Sequence, residues 1–166
     1  MSSIFTRRSI RRYTQEPVDN EDLEGILRAG MAAPSATNQQ PWHFVVLTEK
    51  EKLLEITAVH PHSAMLKEAA AAIVVCFDPA LENIKGFLPQ DCAAATQNML
   101  LRIDELGLGA VWLGVHPNKE REEEMRRIIG APKDIVPFCV ISIGHPAEEK
   151  PPHDRYREER VHWGSW

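Results

Sequence analysis

One segment restricts the possible folds of this chain more than any other: PQDCAAATQNMLLRIDELG, residues 89–107. Pro89 near its start and Gly107 at its end are typical of a helix. Between these two residues the segment is apolar almost all round, and a helix of that kind must be buried on more than one side. We therefore expect either the chain's own domain or a partner chain to surround it.

The rest of the sequence alternates between extended and helical patterns. Strands are predicted at 42–48, 71–77, 109–115 and 136–144, and helices at 19–33, 49–57 and 118–130. Residues 71–77, AAIVVCF, are apolar on both faces, which predicts a strand in the interior of a sheet. A chain of 166 residues with 43% hydrophobic content suits one domain, 1–166, with a substantial core.

The overall charge restricts the partners. The formal net charge is -5, whereas proteins that bind nucleic acid or acidic membranes attract phosphate with broad positive fields. We therefore expect no nucleic acid and no membrane as partners, and any anion site has to be local. The longest apolar run, near residues 69–77, is too short to cross a bilayer.

The three cysteines indicate a reducing compartment. Cys76, Cys92 and Cys139 are widely spaced and predict neither a disulfide framework nor a CxxC metal or redox pair. Cys76 and Cys139 lie in apolar runs, where a free thiol usually behaves as a small core residue. The predicted localisation is cytoplasmic.

Motifs of several common enzyme sites are missing. GLGAVWLG at 107–114 runs from a helix end into a strand, which is the reverse of a dinucleotide-binding turn. The sequence has no P-loop and no GxSxG nucleophile elbow. The histidines are scattered, so we expect surface histidines rather than a metal site. The acids at 122–124 are expected on a solvated helix face, and no catalytic residue or metal ligand is predicted.

The clearest candidate site is RRSIRRY, residues 7–13. Arg7, Arg8, Ser9 and Arg11 supply guanidinium groups and a hydroxyl, which suit a phosphate monoester. The same Ser- and Arg-rich region is also compatible with an organelle transit peptide, or with a basic arm that contacts a polyphosphate backbone. The acidic remainder of the chain argues against the nucleic-acid arm, because it would repel a polyanion.

A second candidate is the loop PSATNQQPW, residues 34–42, which is rich in hydroxyl and amide groups. Asn38 and Gln40 are the side chains best suited to contact the polar edge of a heterocycle. Turn formation and capping are the ordinary alternative for the same residues.

The tail that begins at Pro146 is polar and ends in aromatic residues. Trp163 and Trp166 would leave a large apolar area in water if the tail stayed free. We therefore expect it to pack on a neighbouring subunit, and together with the apolar helix this predicts a homodimer.

Five segments, taken in order, resemble the FMN-dependent nitroreductase family. They are RRSIRRY at 7–13, APSATNQQPWHFVV at 33–46, DCAAATQNMLL at 91–101, LGLGAVWLG at 106–114 and GHPAEEKPPHDRYREERVHW at 144–163. The resemblance spans almost the whole chain. It implies an α+β fold, with a central and mostly antiparallel sheet flanked by helices, and an intertwined homodimer with two FMN sites at the interface.

The resemblance also implies residues that hold the FMN phosphate. Those that match the family's N-terminal motif, which contacts the phosphate and the polar edge of the ring, are Arg7, Arg8, Ser9 and Arg11. Arg155 matches a basic residue of the tail that returns to the phosphate. His153 stands where many relatives have a lysine, so one phosphate charge is missing or depends on pH.

Further matched residues belong to the flavin ring. Those in the loop that lies along the ring, often contributed by the other subunit, are Pro34, Ser35, Asn38 and Gln40. Leu113 and Gly114 match the strand-end backbone near the reactive edge of the ring. The connection 78–90 is short compared with relatives that insert helices there, which implies a shallow substrate pocket.

The function that the resemblance implies is that of an FMN-dependent NAD(P)H oxidoreductase. NADH or NADPH would reduce the flavin and leave, and an electron-poor acceptor such as a nitroaromatic or a quinone would take its place, in a ping-pong hydride transfer. A flavin-binding or sensor protein without efficient turnover is the alternative, in which the same residues hold FMN but no reductant docks.

Overall fold

The computed structural model describes residues 2–166. Its α-helices are α1 (Ser3–Thr6), α2 (Asn20–Met31), α3 (Lys50–Val59), α4 (Leu88–Glu105) and α5 (Lys119–Ile129), and its strands are β1 (Trp42–Leu47), β2 (Ala71–Phe77), β3 (Gly109–Gly114) and β4 (Val136–Gly144). Each predicted helix and strand is present, and only α1 was not expected.

The four strands form an antiparallel sheet in the order β1-β2-β4-β3. β2 lies between β1 and β4, with Ile73 opposite Val46 on one side and Ile141 on the other. Every residue of β2 is buried, which is the interior position that its two apolar faces predict. The expected α+β class with an antiparallel sheet is confirmed.

Helices cover both faces of the sheet. On one face α4 packs against β2 and α2 packs against α4, and Met99 of α4 is buried in the same cluster as Val75. On the other face α3 and α5 pack, and Met125 of α5 is buried in the same cluster as Val74. Because successive side chains of a strand point to opposite faces, β2 supplies both halves of the core.

α4 is the apolar helix of the sequence, and the chain covers most of it. Its buried residues are Leu88, Asp91, Cys92, Ala95, Thr96, Met99, Leu100 and Ile103. Ala94 and Leu101 are half-buried and Gln97 is exposed, so part of the helix surface is left for another partner. Across residues 2–166, no helix combines the length and the apolar character that a membrane span requires.

Segment 7–13 lies along the free edge of β3. Ser9 forms a parallel bridge with Ala110, whose carbonyl oxygen accepts the Ile10 N–H at 2.9 Å. Ile10 packs over Gly109, where a Cβ would lie 2.7 Å from the Ile10 Cγ2, so this approach requires glycine. The buried Tyr13 hydroxyl donates to the Ile10 carbonyl oxygen at 2.8 Å. The core therefore fixes the backbone that carries the arginines.

Beyond Lys150 the tail has little contact with its own chain. Residues 151–166 are exposed throughout, with Trp163 at 91% and Trp166 at 100% of their full exposure. Apolar area of this size is typical of a surface that another chain covers. The homodimer stays a prediction that this exposure supports.

Candidate functional site

A cleft of about 1030 Å³ lies between segment 7–13 and the tail. Predicted site residues from both ends of the sequence line it, and these are Arg7, Arg8, Ser9, Arg11, His153 and Arg155. The fold therefore brings together two groups of residues that are about 140 positions apart in the sequence.

Positive charge is concentrated in this cleft, where Asp154 is the one acidic residue of the described lining. Within residues 2–166, the side chains of the four arginines that line it form no ion pair. Arg12, for which the sequence predicts no role, instead pairs with Glu68 at 3.6 Å. Guanidinium groups bind oxyanions by charge-assisted, bidentate hydrogen bonds. The cleft thus has the chemistry of a local anion site on an acidic protein.

Hydrogen bonds attach the tail to segment 7–13, the arginine segment. The Lys150 ammonium donates to the Ser9 carbonyl oxygen and to the Glu148 carboxylate, each at 2.8 Å. Glu148 also accepts the backbone N–H of Arg11 at 2.6 Å. The hydrogen bond from Lys150, followed by that from the Arg11 N–H, holds the pKa of Glu148 below its usual range.

The loop between α2 and β1 has an unusual backbone. Thr37, Asn38 and Gln40 have φ angles of 50°, 58° and 45°, in the left-handed region that residues other than glycine rarely adopt. The Ser35 Oγ accepts the Gln40 N–H at 3.0 Å, and the Gln40 Nε2 donates to the Asn38 Oδ1 at 2.8 Å. Pro34, Asn38 and Gln40 are exposed, so a second molecule can reach them.

The end of β3 offers backbone rather than side chains. Leu113 is buried, whereas Gly114 is exposed and has no atom within 4 Å of where a Cβ would stand. The Gly114 carbonyl oxygen accepts a 2.9 Å hydrogen bond from the His60 Nε2, because the His60 Nδ1 already accepts the His62 N–H at 3.3 Å. His60 is only 3% exposed, so the expectation of a surface histidine is wrong at this position.

The burial of Glu122 contradicts a second expectation. Glu122 lies in the run of acids that predicted a solvated helix face, yet its side chain is only 3% exposed. The His116 Nδ1 and the Lys119 Nζ each lie 2.8 Å from one of its carboxylate oxygens. A buried carboxylate is tolerated when such partners satisfy it, and the local charge pattern does not reveal them.

The described residues contain no obvious metal or thiol chemistry. Within residues 2–166, no group of three or more His, Cys, Asp or Glu side chains is arranged to hold a metal ion. Cys76, Cys92 and Cys139 are free and buried, and burial raises the pKa of Cys76 and of Cys139 to about 12.

Known proteins resemble this chain along its whole length. The model of the nitroreductase family matches residues 4–86 and 60–145. The chain belongs to the nitroreductase family. A Methanothermobacter thermautotrophicus protein, provisionally named NADH dehydrogenase/NAD(P)H nitroreductase, is 46% identical over 166 residues, which are 100% of this chain and 87% of that protein.

Solved structures of the family share the fold. A provisionally named NADH oxidase from Clostridium acetobutylicum superposes with a TM-score of 0.96 at 41% identity, over 99% of this chain and 100% of its own. A nitroreductase from Desulfovibrio desulfuricans, also provisionally named and solved in complex with FMN, gives a TM-score of 0.83 at 33% identity, over 96% and 92% of the two chains. The predictions of the family and of an oxidoreductase are confirmed.

The predicted site residues fall into two groups in this nitroreductase-family chain. Half of them line the arginine cleft, as described above. The remaining predicted residues do not line that cleft, and they are Pro34, Ser35, Asn38, Gln40, Leu113 and Gly114. In a single chain, the residues predicted to bind the phosphate line the cleft, whereas those predicted to bind the flavin ring lie outside its lining.

Sequence reasoning missed three polar residues. Lys150 lines the cleft, and its signal is a basic residue in a tail segment already assigned to the phosphate. Asp91 is buried in α4, and its signal is the one carboxylate within residues 88–103 of that apolar helix. Gln39 is buried between two exposed amide residues, and nothing in the sequence distinguishes it from them.

Proposed function

We propose that this protein is an FMN-dependent NAD(P)H oxidoreductase, a cytoplasmic single-domain enzyme that works as a homodimer. The observation that carries the proposal is the cleft in which Arg7, Arg8, Arg11 and Arg155 meet. Family membership supports the reaction class, and the FMN bound to the Desulfovibrio desulfuricans relative supports the cofactor. The proposed acceptor is a small, electron-poor aromatic molecule such as a nitroaromatic or a quinone.

The donors in the cleft fit a phosphate monoester. The four guanidinium groups offer paired N–H donors to its oxygens, and Ser9 belongs to the same lining. Lys150 adds positive charge, although its ammonium already bonds to protein acceptors. His153 adds positive charge only when protonated. These residues would hold the phosphate of FMN.

The remaining site residues would hold the flavin ring. Ala110 of β3 pairs with Ser9. Gly114 lies about 13 Å further along the same strand, at the usual rise of 3.3 Å per residue. We assign the backbone of Leu113 and Gly114 to the ring of the same site. The loop 34–40 does not line the cleft of its own chain, so we assign this role to the partner subunit's loop 34–40.

The chemistry divides between the cofactor and the chain. When bound, FMN supplies the hydride-transfer chemistry. The arginines provide a positive environment that favours negative charge on a bound molecule. His60 fixes the orientation of the Gly114 peptide through its carbonyl oxygen. No side chain is assigned as a general acid or base.

The visible absorption spectrum of the purified protein is the first test. We expect the bands of an oxidised flavin, and release of FMN on denaturation. Protein that purifies without flavin is titrated with FMN and with riboflavin, which lacks the phosphate, and we expect FMN to bind much more tightly. A protein that neither carries FMN nor takes it up contradicts the proposal.

Two further measurements test the reaction and the assembly. Anaerobic stopped-flow mixing with NADH and with NADPH should bleach the flavin absorbance with at least one of them. A flavin that neither nucleotide bleaches would instead favour a binding protein without turnover. Sedimentation at micromolar concentration should give a species of twice 18.8 kDa, and a species of 18.8 kDa alone contradicts a site shared between subunits.

A further inference from the structure

A buried carboxylate on α4, that of Asp91, accepts two hydrogen bonds from the loop 34–40. Asp91 is 4% exposed and accepts hydrogen bonds from the Ala36 N–H at 3.0 Å and from the Gln39 Nε2 at 2.6 Å. Within residues 2–166, Asp91 has no ion-pair partner. A buried carboxylate is unfavourable unless hydrogen bonds compensate it, and the loop supplies both of these bonds.

Gln39 extends this attachment to a third segment. Its side-chain oxygen accepts the backbone N–H of Asn83 at 2.9 Å and that of Ile84 at 3.4 Å. One buried amide therefore joins the loop, the first turn of α4 and the connection between β2 and α4. Its neighbours Asn38 and Gln40 are exposed and have left-handed φ angles.

We propose that Asp91 and Gln39 are positioning residues that hold the loop in the conformation in which Asn38 and Gln40 contact the flavin. This inference rests on the proposed function. Left-handed residues other than glycine persist only where the surrounding structure over-determines them. The bonds of Asp91 to the Ala36 N–H and to the Gln39 side chain provide that constraint, because they anchor the residue immediately before the left-handed residues and the residue between Asn38 and Gln40.

The polarity of the pair provides a sharp test. In Asp91→Asn, the new amide can still accept from Ala36, but its NH₂ group then faces the NH₂ group of Gln39. In Gln39→Glu, two carboxylates face each other. The double variant Asp91→Asn/Gln39→Glu restores a donor opposite an acceptor, and the second oxygen of Glu still accepts from Asn83. A double-mutant cycle measures this coupling.

The primary readouts are the dissociation constant for FMN and the visible circular dichroism of the bound flavin. Each single variant should raise the dissociation constant by about tenfold or more, as expected when a buried hydrogen bond to a charged group is lost. The double variant should recover most of that loss and the wild-type flavin spectrum. Thr96→Ala is the matched control, because Thr96 lies on the same helix and is fully buried, and its hydroxyl bonds to Cys92 and Cys139 rather than to the loop.

The outcomes separate the inference from the proposed function. The control should lower the melting temperature without changing FMN affinity, which distinguishes positioning from general destabilisation. Single variants that bind FMN with wild-type affinity and spectrum overturn the inference. A double variant that binds FMN no more tightly than the single variant with the lower affinity also overturns it. A wild-type protein that takes up no FMN overturns the proposed function, and the flavin role of both residues with it.

Discussion

The ammonium group of Lys150 donates a 2.8 Å hydrogen bond to the backbone carbonyl oxygen of Ser9. The two residues are 141 positions apart, so this bond closes the tail onto the arginine segment. The same ammonium bonds to Glu148, which in turn accepts the Arg11 N–H. The Arg12 carbonyl oxygen also accepts the Ala147 N–H at 2.9 Å. The tail therefore holds the backbone of the arginine segment at three points, and the geometry of the cleft depends on both ends of the chain.

Replacing Lys150 by methionine tests this dependence. Lys150→Met keeps much of the side-chain length but removes two hydrogen bonds and one positive charge from the cleft. We expect FMN affinity to fall about tenfold. A hydrogen bond to a charged group is worth about 1.5–3 kcal/mol, and the bonds of the Lys150 ammonium are partly exposed. Fluorescence titration with FMN measures the change. Lys133→Met, at an exposed position outside the cleft lining, should leave the affinity unchanged, and equal losses in both variants contradict a specific role.

Glu148 makes the attachment of the tail depend on pH. Its pKa is lowered in the folded protein, so its contribution to stability is complete above the unfolded value of about 4.3 and is lost as the pH falls through the lower folded value. Melting temperatures measured between pH 7 and pH 3 should therefore decline below about pH 4.3. In Glu148→Gln this part of the decline should disappear. Parallel curves for the wild type and the variant would show that Glu148 does not contribute.

Arg11 and Arg12 form a matched pair for testing the anion site. Arg11 lines the cleft without an ion-pair partner among residues 2–166, whereas Arg12 pairs with Glu68 on the surface. Arg11→Ala should weaken FMN binding by about 1.5–3 kcal/mol, the usual value of a charge-assisted hydrogen bond. Arg12→Ala should change it by less than about 0.5 kcal/mol, since exposed ion pairs contribute little. Calorimetric titration compares the two variants, and similar losses would remove Arg11 from the site.

The elements of this fold are predictable because their signals are local. The two apolar faces of β2 predict its interior position, and Asn118 and Gly130 predict the ends of α5, where Asn118 accepts the Arg121 N–H and Gly130 has a φ of 65°. Each of these signals comes from a few consecutive residues, and the local preference agrees with the tertiary structure.

The roles of several polar residues are not predictable, because their partners are distant in the sequence. His60 is buried because it donates to Gly114, which lies 54 positions away. Gln39 is buried because Asp91 and Asn83 bond to its amide. Which side chain of an amide-rich loop turns inward depends on such tertiary partners, and one sequence without the fold does not supply them.

The contact of Gly109 with Ile10 predicts the effect of a single added methyl group. In Gly109→Ala the new Cβ would lie 2.7 Å from the Ile10 Cγ2, so segment 7–13 must shift. We expect a loss of about 1–3 kcal/mol in the free energy of unfolding, as in other overpacked sites, and weaker FMN binding. Gly25→Ala in α2 is the control, because its nearest contacts lie at 3.8 Å and alanine favours a helix by about 1 kcal/mol. Unfolding in urea measures both variants, and a Gly109→Ala protein as stable as the wild type would contradict the close contact.

The three cysteines should be unreactive in the native protein. Burial raises the pKa of Cys76 and of Cys139 to about 12 and also raises the pKa of Cys92, so almost no thiolate is present at pH 8, and the thiolate is the reactive form. Ellman's reagent at pH 8 should therefore label no thiol in the native state and three after unfolding in guanidinium chloride. Any slow labelling of Cys92 and Cys139 should follow the rate at which the core between α4 and the sheet opens, and that of Cys76 the rate at which the core on the opposite face opens. Rapid labelling of one thiol, at a rate proportional to the reagent concentration, would instead place that cysteine at an accessible surface.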